Sequence, residues 1–430
     1  MKTNVSHVVS DGLCMGCGIC QDACAKKCIR IHHGKDVNHP VVDMEKCNEC
    51  GLCLKVCAGH GIDLAARSKE LFHEKSDGYD KYLGYYDKCF SGYSTNDDIR
   101  FHSASGGCLS QFLIFLLDKK YIDGAVVVGY EDSKPMTPHT YIARSKEEVL
   151  AGRSSKYCVT SYEGILSEIK QKGGKYVVVG LPCQIQSLRK YVSLFKSVGK
   201  LIIGYFAIYC SSNRTMRSQE FLLYRYGVKR EDVAHFAYRD NGCLGSMVFE
   251  DKNGKMLRSV PYQTFWIGMR GFFNVPRCST CIDHYGELAD VCFGDIHIGE
   301  YINDHIGVNS LVSRSSEWTV LLKEAVESGY LHLDEIPYSV VVESQGYAMR
   351  QKKGAGVTAA FKLRRILGKK NPVYDQPFVV PQVGMKEVVK VGVKCCMRWM
   401  GHQRWLWPFV SMTSVWAFRS SGLPNLFIKW

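Results

Sequence analysis

Cys14, Cys17, Cys20 and Cys24 are followed, at identical spacing, by Cys47, Cys50, Cys53 and Cys57. Three cysteines at two-residue gaps and a fourth after a longer gap let one inorganic cubane be wrapped corner by corner. Gly16, Gly18 and Gly51 stand where the backbone must turn tightly. Zinc sites usually present Cys-x2-Cys pairs, not evenly spaced triples with a fourth cysteine behind them. Two 4Fe–4S clusters are therefore expected. The fourth cysteine of each run crosses to the other cluster, which groups Cys14, Cys17, Cys20 and Cys57 apart from Cys47, Cys50, Cys53 and Cys24. Ala25 and Ala58 occupy the places where proline usually follows. That departure weakens local rigidity, not ligation. Cys28 is spare and reads as structural.

Of the 20 cysteines, nine lie between Cys14 and Cys57. The segment Met1–His7 lacks the apolar core of a secretory signal, so a disulfide framework explains them poorly and a reducing, cytoplasmic setting is expected. No uncharged apolar run reaches the length of a spanning helix. Neither a strand-linked G-x-G-x-x-G nor a G-x4-G-K-[ST] loop is present, which excludes a standard dinucleotide fold and an NTPase loop. The net charge of +13 is carried by the end of the chain: from Arg350 to Trp430 there are fifteen Lys or Arg against Asp375 and Glu387. Residues 1–349 are neutral.

The texture of the chain implies an α+β ferredoxin-like two-cluster module (1–66) and a polar linker (67–93). An α/β body with a mostly parallel sheet (94–345) and a basic aromatic tail (346–430) follow. Ala125–Gly129, Tyr176–Gly180 and Leu201–Ile208 read as buried strands. Gln111–Lys119, Ser161–Lys172, Cys183–Val192 and Thr319–Ser328 read as helices. Alternation of the two argues for parallel pairing. Met247–Val260 reads as a hairpin turning on Asn253-Gly254.

Ser105-Gly106-Gly107 sits just before a helix, where exposed N–H groups could hold a pyrophosphate, though an ordinary capped turn would look the same. Gly180-Leu-Pro182-Cys183 lies where a strand meets a helix, with Pro182 suited to the first turn, and such loops face ligands in parallel sheets. Lys156 could offset phosphate charge; alone, a lysine is more often a solvated surface residue. Cys278-x2-Cys281 is half of a metal site, open to a zinc or dithiol reading as well. Cys89, Cys108, Cys158, Cys243 and Cys292 read as small core residues.

Together, Ser103-Ala-Ser105-Gly106-Gly107, Ser155-Lys156-Tyr157, Gly180-Leu-Pro182-Cys183-Gln184, Arg277-Cys278-Ser-Thr-Cys281, Leu288-Ala-Asp290 and Gly294-Asp295 resemble the beta-subunit family of deazaflavin (coenzyme F420)-dependent hydrogenases and dehydrogenases, over about residues 80–345. The resemblance implies an FAD on the body. It also implies a third 4Fe–4S cluster, with Cys183 and Cys210 completing the ligands begun by Cys278 and Cys281. The FAD contacts would come from Ser103, Ser105, Gly106, Gly107, Lys156, Tyr157, Gly180, Pro182 and Gln184. It points to an iron–sulfur flavoprotein oxidoreductase working with a redox partner protein or a small two-electron substrate. Three alternatives stand beside it: a relay subunit without its own substrate, reduction of deazaflavin itself, and a role in a cell-surface polysaccharide pathway. His235 and Asp295 are acid candidates by residue type only.

Trp399, Trp405, Trp407, Trp416 and Trp430 alternate with Arg398, Arg404, Arg419 and Lys429. Aromatic residues among cations suit peripheral contact with the inner face of an anionic membrane. A helix packed on the body, or a site for an acidic partner, would use the same residues. Nucleic acid is not expected, since no recognition motif accompanies the charge.

Overall fold

The computed structural model describes residues 4–131, 133–346 and 352–412. The body is built on an eight-stranded sheet: β1 (Lys88–Ser94), β2 (Gly124–Glu131), β3 (Lys134–Ala143), β4 (Tyr176–Gly180), β5 (Ile202–Ile208), β6 (Val291–Asp295), β7 (Asn309–Ser313) and β8 (Leu331–Glu335). Their order across the sheet is β8-β1-β7-β6-β5-β4-β2-β3. Only β6, β5, β4 and β2 pair in parallel. The outer pairs are antiparallel. The sheet is thus mixed, which corrects the expectation of a mostly parallel one. The buried apolar runs belong to the parallel centre, whereas β1 and β8 are too polar in sequence to read as strands.

Side chains alternate across the central strands, as period-two geometry requires. Ala125, Val127, Val177, Val179 and Phe206 pack with Phe112, Phe115 and Trp318 from the helices Cys108–Asp118 and Ser316–Glu327 on one face. Val126, Val178 and Tyr205 face the other way, onto the helices Ile165–Lys172 and Pro182–Leu194. The same second core continues through Ile19, Val56 and Ile62 of the cysteine-rich segment. No break separates that segment from the body.

Residues 67–93, read as a linker, belong to the fold: the helix Leu64–Phe72, the short strands Gly78–Asp80 and Gly84–Tyr86, and most of β1. The hairpin is present as Ser246–Glu250 against Met256–Pro261, but Asp251–Lys255 form a longer loop than the two-residue turn expected. Asp251 Oδ1 accepts the Lys255 and Asn253 amides, which stabilises the wider turn.

The described part of the tail is not a free extension. Val373–Tyr374 pair in parallel with Gly61–Ile62. The Asp375 carboxylate accepts the Ala65 and Ala66 amides at 3.1 and 2.7 Å, capping the helix that starts at Leu64. Arg364 donates to the Asp11 carbonyl at 2.8 Å. Trp407 is fully buried against Phe221 and donates to the Gly401 carbonyl. Trp416, Arg419, Lys429 and Trp430 lie outside the described residues.

Candidate functional site: three groups of thiols and a cavity

The doubled motif folds with internal two-fold character. Gly18 and Gly51 both take left-handed backbone angles and open the short helices Ile19–Asp22 and Leu52–Lys55, so each cysteine run turns alike. A side chain at Gly18 would meet the Glu163 backbone nitrogen at 2.9 Å, so the turn is also pressed against the body. Burial raises the Cys17 thiol to about 11, with the Cys57 sulfur adding to it. Burial likewise raises Cys20, with the sulfurs of Cys17, Cys57 and Cys14 adding to it. Cys53 is raised by burial, then by Cys50 and Cys24. The chain thus gathers Cys14, Cys17, Cys20 and Cys57 in one place and Cys24, Cys47, Cys50 and Cys53 in another, as the crossing rule requires. Cys28 joins the second group, its sulfur 3.3 Å from that of Cys24.

A third group forms at the carboxyl ends of the parallel strands. Cys183 is the second residue of the helix Pro182–Leu194, and Cys210 lies two residues past the end of β5. Cys278 lies within the short helix Pro276–Thr280, and Cys281 follows it. Burial raises Cys183, and Cys281, Cys210 and Cys278 raise it further. Cys210 is pushed up to about 12, chiefly by burial. Thiols crowded together away from water cannot ionise without a cation among them, which is the condition a metal cluster supplies. Among the described residues no three such side chains are arranged for a single ion.

Polar residues dress this third group. The Asn213 amide donates to the Cys278 sulfur at 3.3 Å. Lys352, buried, donates to the Asp283 carbonyl at 3.1 Å. Burial opposes its charge, but the Cys281, Cys210 and Cys278 sulfurs outweigh that and hold it above the ordinary lysine value. Burial also pushes His284 down to about 3, with Lys352 adding to the effect, so its ring is neutral.

The first and third groups share neighbours. The Tyr162 amide donates to the Cys17 carbonyl at 2.9 Å, and both Cys183 and Cys17 act on its buried hydroxyl. The Ala58 amide donates to Ser187 on the helix that carries Cys183, at 3.1 Å. Proline at 58 could not make that bond, which gives the departure from the usual motif a physical reason. Arg277 reaches from the Cys278 turn to the Ala58 carbonyl and the Tyr374 hydroxyl.

A cavity of about 440 Å³ opens beside the third group, with Cys210 in its wall. Of the residues expected to hold a cofactor, Ser103, Ser105, Gly107, Lys156, Tyr157, Gly180 and Gln184 line it; Gly106 and Pro182 lie just behind. Some do different work than expected. The Lys156 ammonium donates to the carbonyls of Gly152, Arg153 and Ser154, closing the end of the helix Lys146–Ala151. Gln184 accepts the Leu181 amide and donates to Thr160, fixing the strand-to-helix turn. The Ser103 hydroxyl is buried without a partner among the described residues.

Arg239, Tyr262, Trp266 and His297 also line the cavity, and none of them was legible from sequence. Lone residues of these types carry no spacing signal. Arg239 is buried over the Tyr262 ring and pairs with Asp295 at 2.7 Å. Burial alone would raise the Asp295 carboxyl, but Arg239 and then His297 hold it well below the usual range. Asp295 is therefore a fixed carboxylate, unsuited to the acid role its type allowed. His235 is exposed and does not line the cavity. Arg239→Met is expected to cost about 3 kcal/mol of unfolding free energy at pH 7, because a half-buried carboxylate loses its buried guanidinium partner. Because the Asp295 pKa is depressed on folding, that penalty persists above about pH 3.8 and fades only below it, which denaturant titrations at several pH values will read.

Buried thiols in a doubled motif, joined to an α/β body with a third thiol group at its strand ends, define an iron–sulfur oxidoreductase. The family models agree: a 4Fe-4S dicluster domain matches residues 13–60. The N-terminal and C-terminal models of the coenzyme F420 hydrogenase/dehydrogenase beta subunit match residues 89–167 and 173–338. The chain belongs to the coenzyme F420 hydrogenase/dehydrogenase beta subunit family. It is 28% identical over 231 residues to the coenzyme F420 hydrogenase subunit beta of Methanosarcina barkeri, covering 50% of this chain and 73% of that one. It is 25% identical to the coenzyme F420-dependent sulfite reductase of Methanocaldococcus jannaschii, over 67% of this chain but only 43% of that protein. A chain of the F420-reducing [NiFe] hydrogenase complex from Methanosarcina barkeri has the same fold, with a TM-score of 0.54 at 20% identity, covering 69% of this chain and 98% of that one.

Proposed function

We propose that this protein is an iron–sulfur flavoprotein. Cys14, Cys17, Cys20 and Cys57 hold one 4Fe–4S cluster, and Cys24, Cys47, Cys50 and Cys53 hold a second. Cys183, Cys210, Cys278 and Cys281 hold a third, and an FAD lies in the cavity. The observation that carries this reading is the position of the third thiol group, between the amino-terminal module and the cavity wall. The cavity suits a flavin in three respects. The Cys108–Asp118 helix opens at it through Gly107, an end that favours phosphate. The buried Ser103 hydroxyl awaits an acceptor. Trp266, Tyr157 and Tyr262 offer an aromatic wall, the first two with ring centres 4.6 Å apart and tilted, Trp266 stacked on Tyr262.

When bound, the clusters carry single electrons and the flavin pairs them for a two-electron transfer. The chain's own part is to order these groups and keep water out. Cys50 is the exposed member of the second group, so electrons are exchanged with outside partners there. The members of the first and third groups are buried or half-buried, and none is exposed. Arg239 and Asp295 fix the polar end of the cavity, and His297, hydrogen-bonded to Asp295 at 3.3 Å and partly exposed, can carry a proton in from solvent. Anaerobic purification with iron and flavin measured per chain tests the reading: about twelve irons and one flavin are expected. About eight irons without flavin would reduce it to the two-cluster module. The likeness to a hydrogenase subunit favours a second reading, a relay docked to a catalytic partner. Reoxidation of the purified, reduced protein by a small molecule, deazaflavin included, decides for the enzyme.

A peripheral membrane contact also belongs to the proposal, now on a defined surface. No described helix is long and apolar enough to cross a membrane. On the helix Met385–His402, however, Met385, Val389 and Val393 form one exposed row, with Trp399 at its end. Lys386, Lys390 and Lys394 form the adjacent exposed row. An apolar stripe flanked by lysines suits an anionic lipid surface. Co-sedimentation with phosphatidylserine-containing vesicles is expected, but not with pure phosphatidylcholine. Lys386→Glu/Lys390→Glu should weaken it by more than about tenfold, at about 1 kcal/mol per lysine removed. Equal recovery with both vesicle types would end this part of the proposal.

A further inference from the structure

Two adjacent lysines, Lys352 and Lys353, are buried beyond the last residue matched by the family models. Burying an ammonium is expensive unless an anion or several acceptors face it. Lys353 has an ordinary solution, a 2.6 Å ion pair with the buried carboxylate of Glu287. Lys352 has no carboxylate at ion-pair distance among the described residues. Its ammonium donates to the Asp283 carbonyl, at 3.1 Å. The Cys281 sulfur lies 3.5 Å from that same carbonyl oxygen, so lysine and thiol converge on one atom. The groups left to compensate Lys352 are therefore the sulfurs of the third group.

Two further cations stand near this group, each held by neutral acceptors or an aromatic ring. Arg277 is spent on Thr280, Ala58 and Tyr374. Arg214 is tied to Ser212 and stacks 4.4 Å from the Trp266 ring centre. The Asp283 carboxylate turns away, accepting from Gln186 and from the Gly286 and Glu287 amides. His284, the remaining titratable neighbour, is neutral.

We infer that Lys352 is a positioning residue whose fixed charge raises the reduction potential of the cluster proposed at Cys183, Cys210, Cys278 and Cys281. This deepens the function proposed above and rests on it. Reduction adds one electron to that site, with no bond formed and no proton taken up at Lys352. A permanent positive charge in a dry surrounding favours the more negative, reduced state, and net charge and hydrogen bonding near sulfur are the protein's means of setting such potentials. The effect is to draw electrons from the amino-terminal clusters toward the cavity. Because the lysine comes from the carboxyl-terminal extension, the strap that pairs with Gly61–Ile62 also completes the electrostatics of the site.

The test is an anaerobic redox titration of the full chain followed by electron paramagnetic resonance, with iron counted in each sample. Lys352→Gln keeps a donor for the Asp283 carbonyl and removes the charge; Lys352→Arg keeps the charge. At equal iron content, one of three reduction steps should become at least tenfold harder in Lys352→Gln, a shift of about 59 mV for a one-electron couple. The other two steps should stay in place, and Lys352→Arg should resemble the parent. Three unmoved steps in a fully loaded Lys352→Gln protein would overturn the inference and leave the third cluster standing. Loss of iron in Lys352→Gln, with retention in Lys352→Arg, would overturn it too, by making the lysine a holding residue. A parent protein with only about eight irons would remove the third cluster itself.

Discussion

Cys281→Ala is expected to purify with about eight irons in place of about twelve, still brown and still reducible at its amino-terminal clusters. Its turnover with any partner entering at the Cys50 face should fall below about one hundredth of the parent rate, as when one member of a unit that acts together is removed. Cys281 is buried among three other thiols, whereas Cys292 and Cys89 are buried beside Arg314. The substitution removes one atom from a site already excluded from water, so the fold should stay intact. Iron analysis, together with stopped-flow reduction of the amino-terminal clusters, separates this outcome from unfolding. Retention of about twelve irons would show that the four cysteines do not hold a cluster.

The contrast between the two halves of the site shows what a sequence can disclose. The eight amino-terminal cysteines were legible because their ligands are local: each run supplies three thiols within seven residues, and the spacing itself is the geometry. The third group draws on positions 183, 210, 278 and 281, brought together by parallel strands whose carboxyl ends coincide. Only Cys278-x2-Cys281 shows a local spacing, and the other two entered through family resemblance. Lys352 had no signal at all, since it looked like one more charge in a basic tail. The tail misled for the same reason. Its composition suggested an independent surface element, while the contacts of Asp375, Arg364 and Trp407 that bind it to the rest are made across more than 180 residues of chain or by burial alone. Likewise β1 was hidden in the supposed linker, because Lys88–Ser94 mixes Cys89 and Phe90 with serines, a glycine and a lysine, yet it pairs on both edges, with β7 and β8.

Gly106→Ala should abolish flavin retention while leaving the iron content near the parent value. Gly106 does not line the cavity, and its backbone angles would suit any residue; what forbids a side chain is its surroundings. An added methyl would sit 2.7 Å from the Gly92 carbonyl oxygen and 2.8 Å from the Asn309 amide nitrogen. Both are strand backbone, in β1 and β7, and neither can rotate away. The loop carrying Ser103, Ser105 and Gly107 must move instead, and it is this loop that presents the helix end and the unpartnered Ser103 hydroxyl to the cavity. Overpacking of this kind costs about 1–3 kcal/mol of stability. Because the displaced atoms are the proposed phosphate contacts, flavin affinity should drop by more than the roughly tenfold to hundredfold that this strain alone would give. Ser103→Ala provides the complementary measurement. Removing a buried, unsatisfied hydroxyl should leave the flavin-free protein as stable or about 1 kcal/mol more so, yet weaken flavin binding about tenfold. Fluorescence titration of flavin into the stripped protein, beside thermal unfolding of the same samples, reads both quantities. Unchanged flavin binding in Gly106→Ala would place the cofactor elsewhere, whatever the cavity's size and lining.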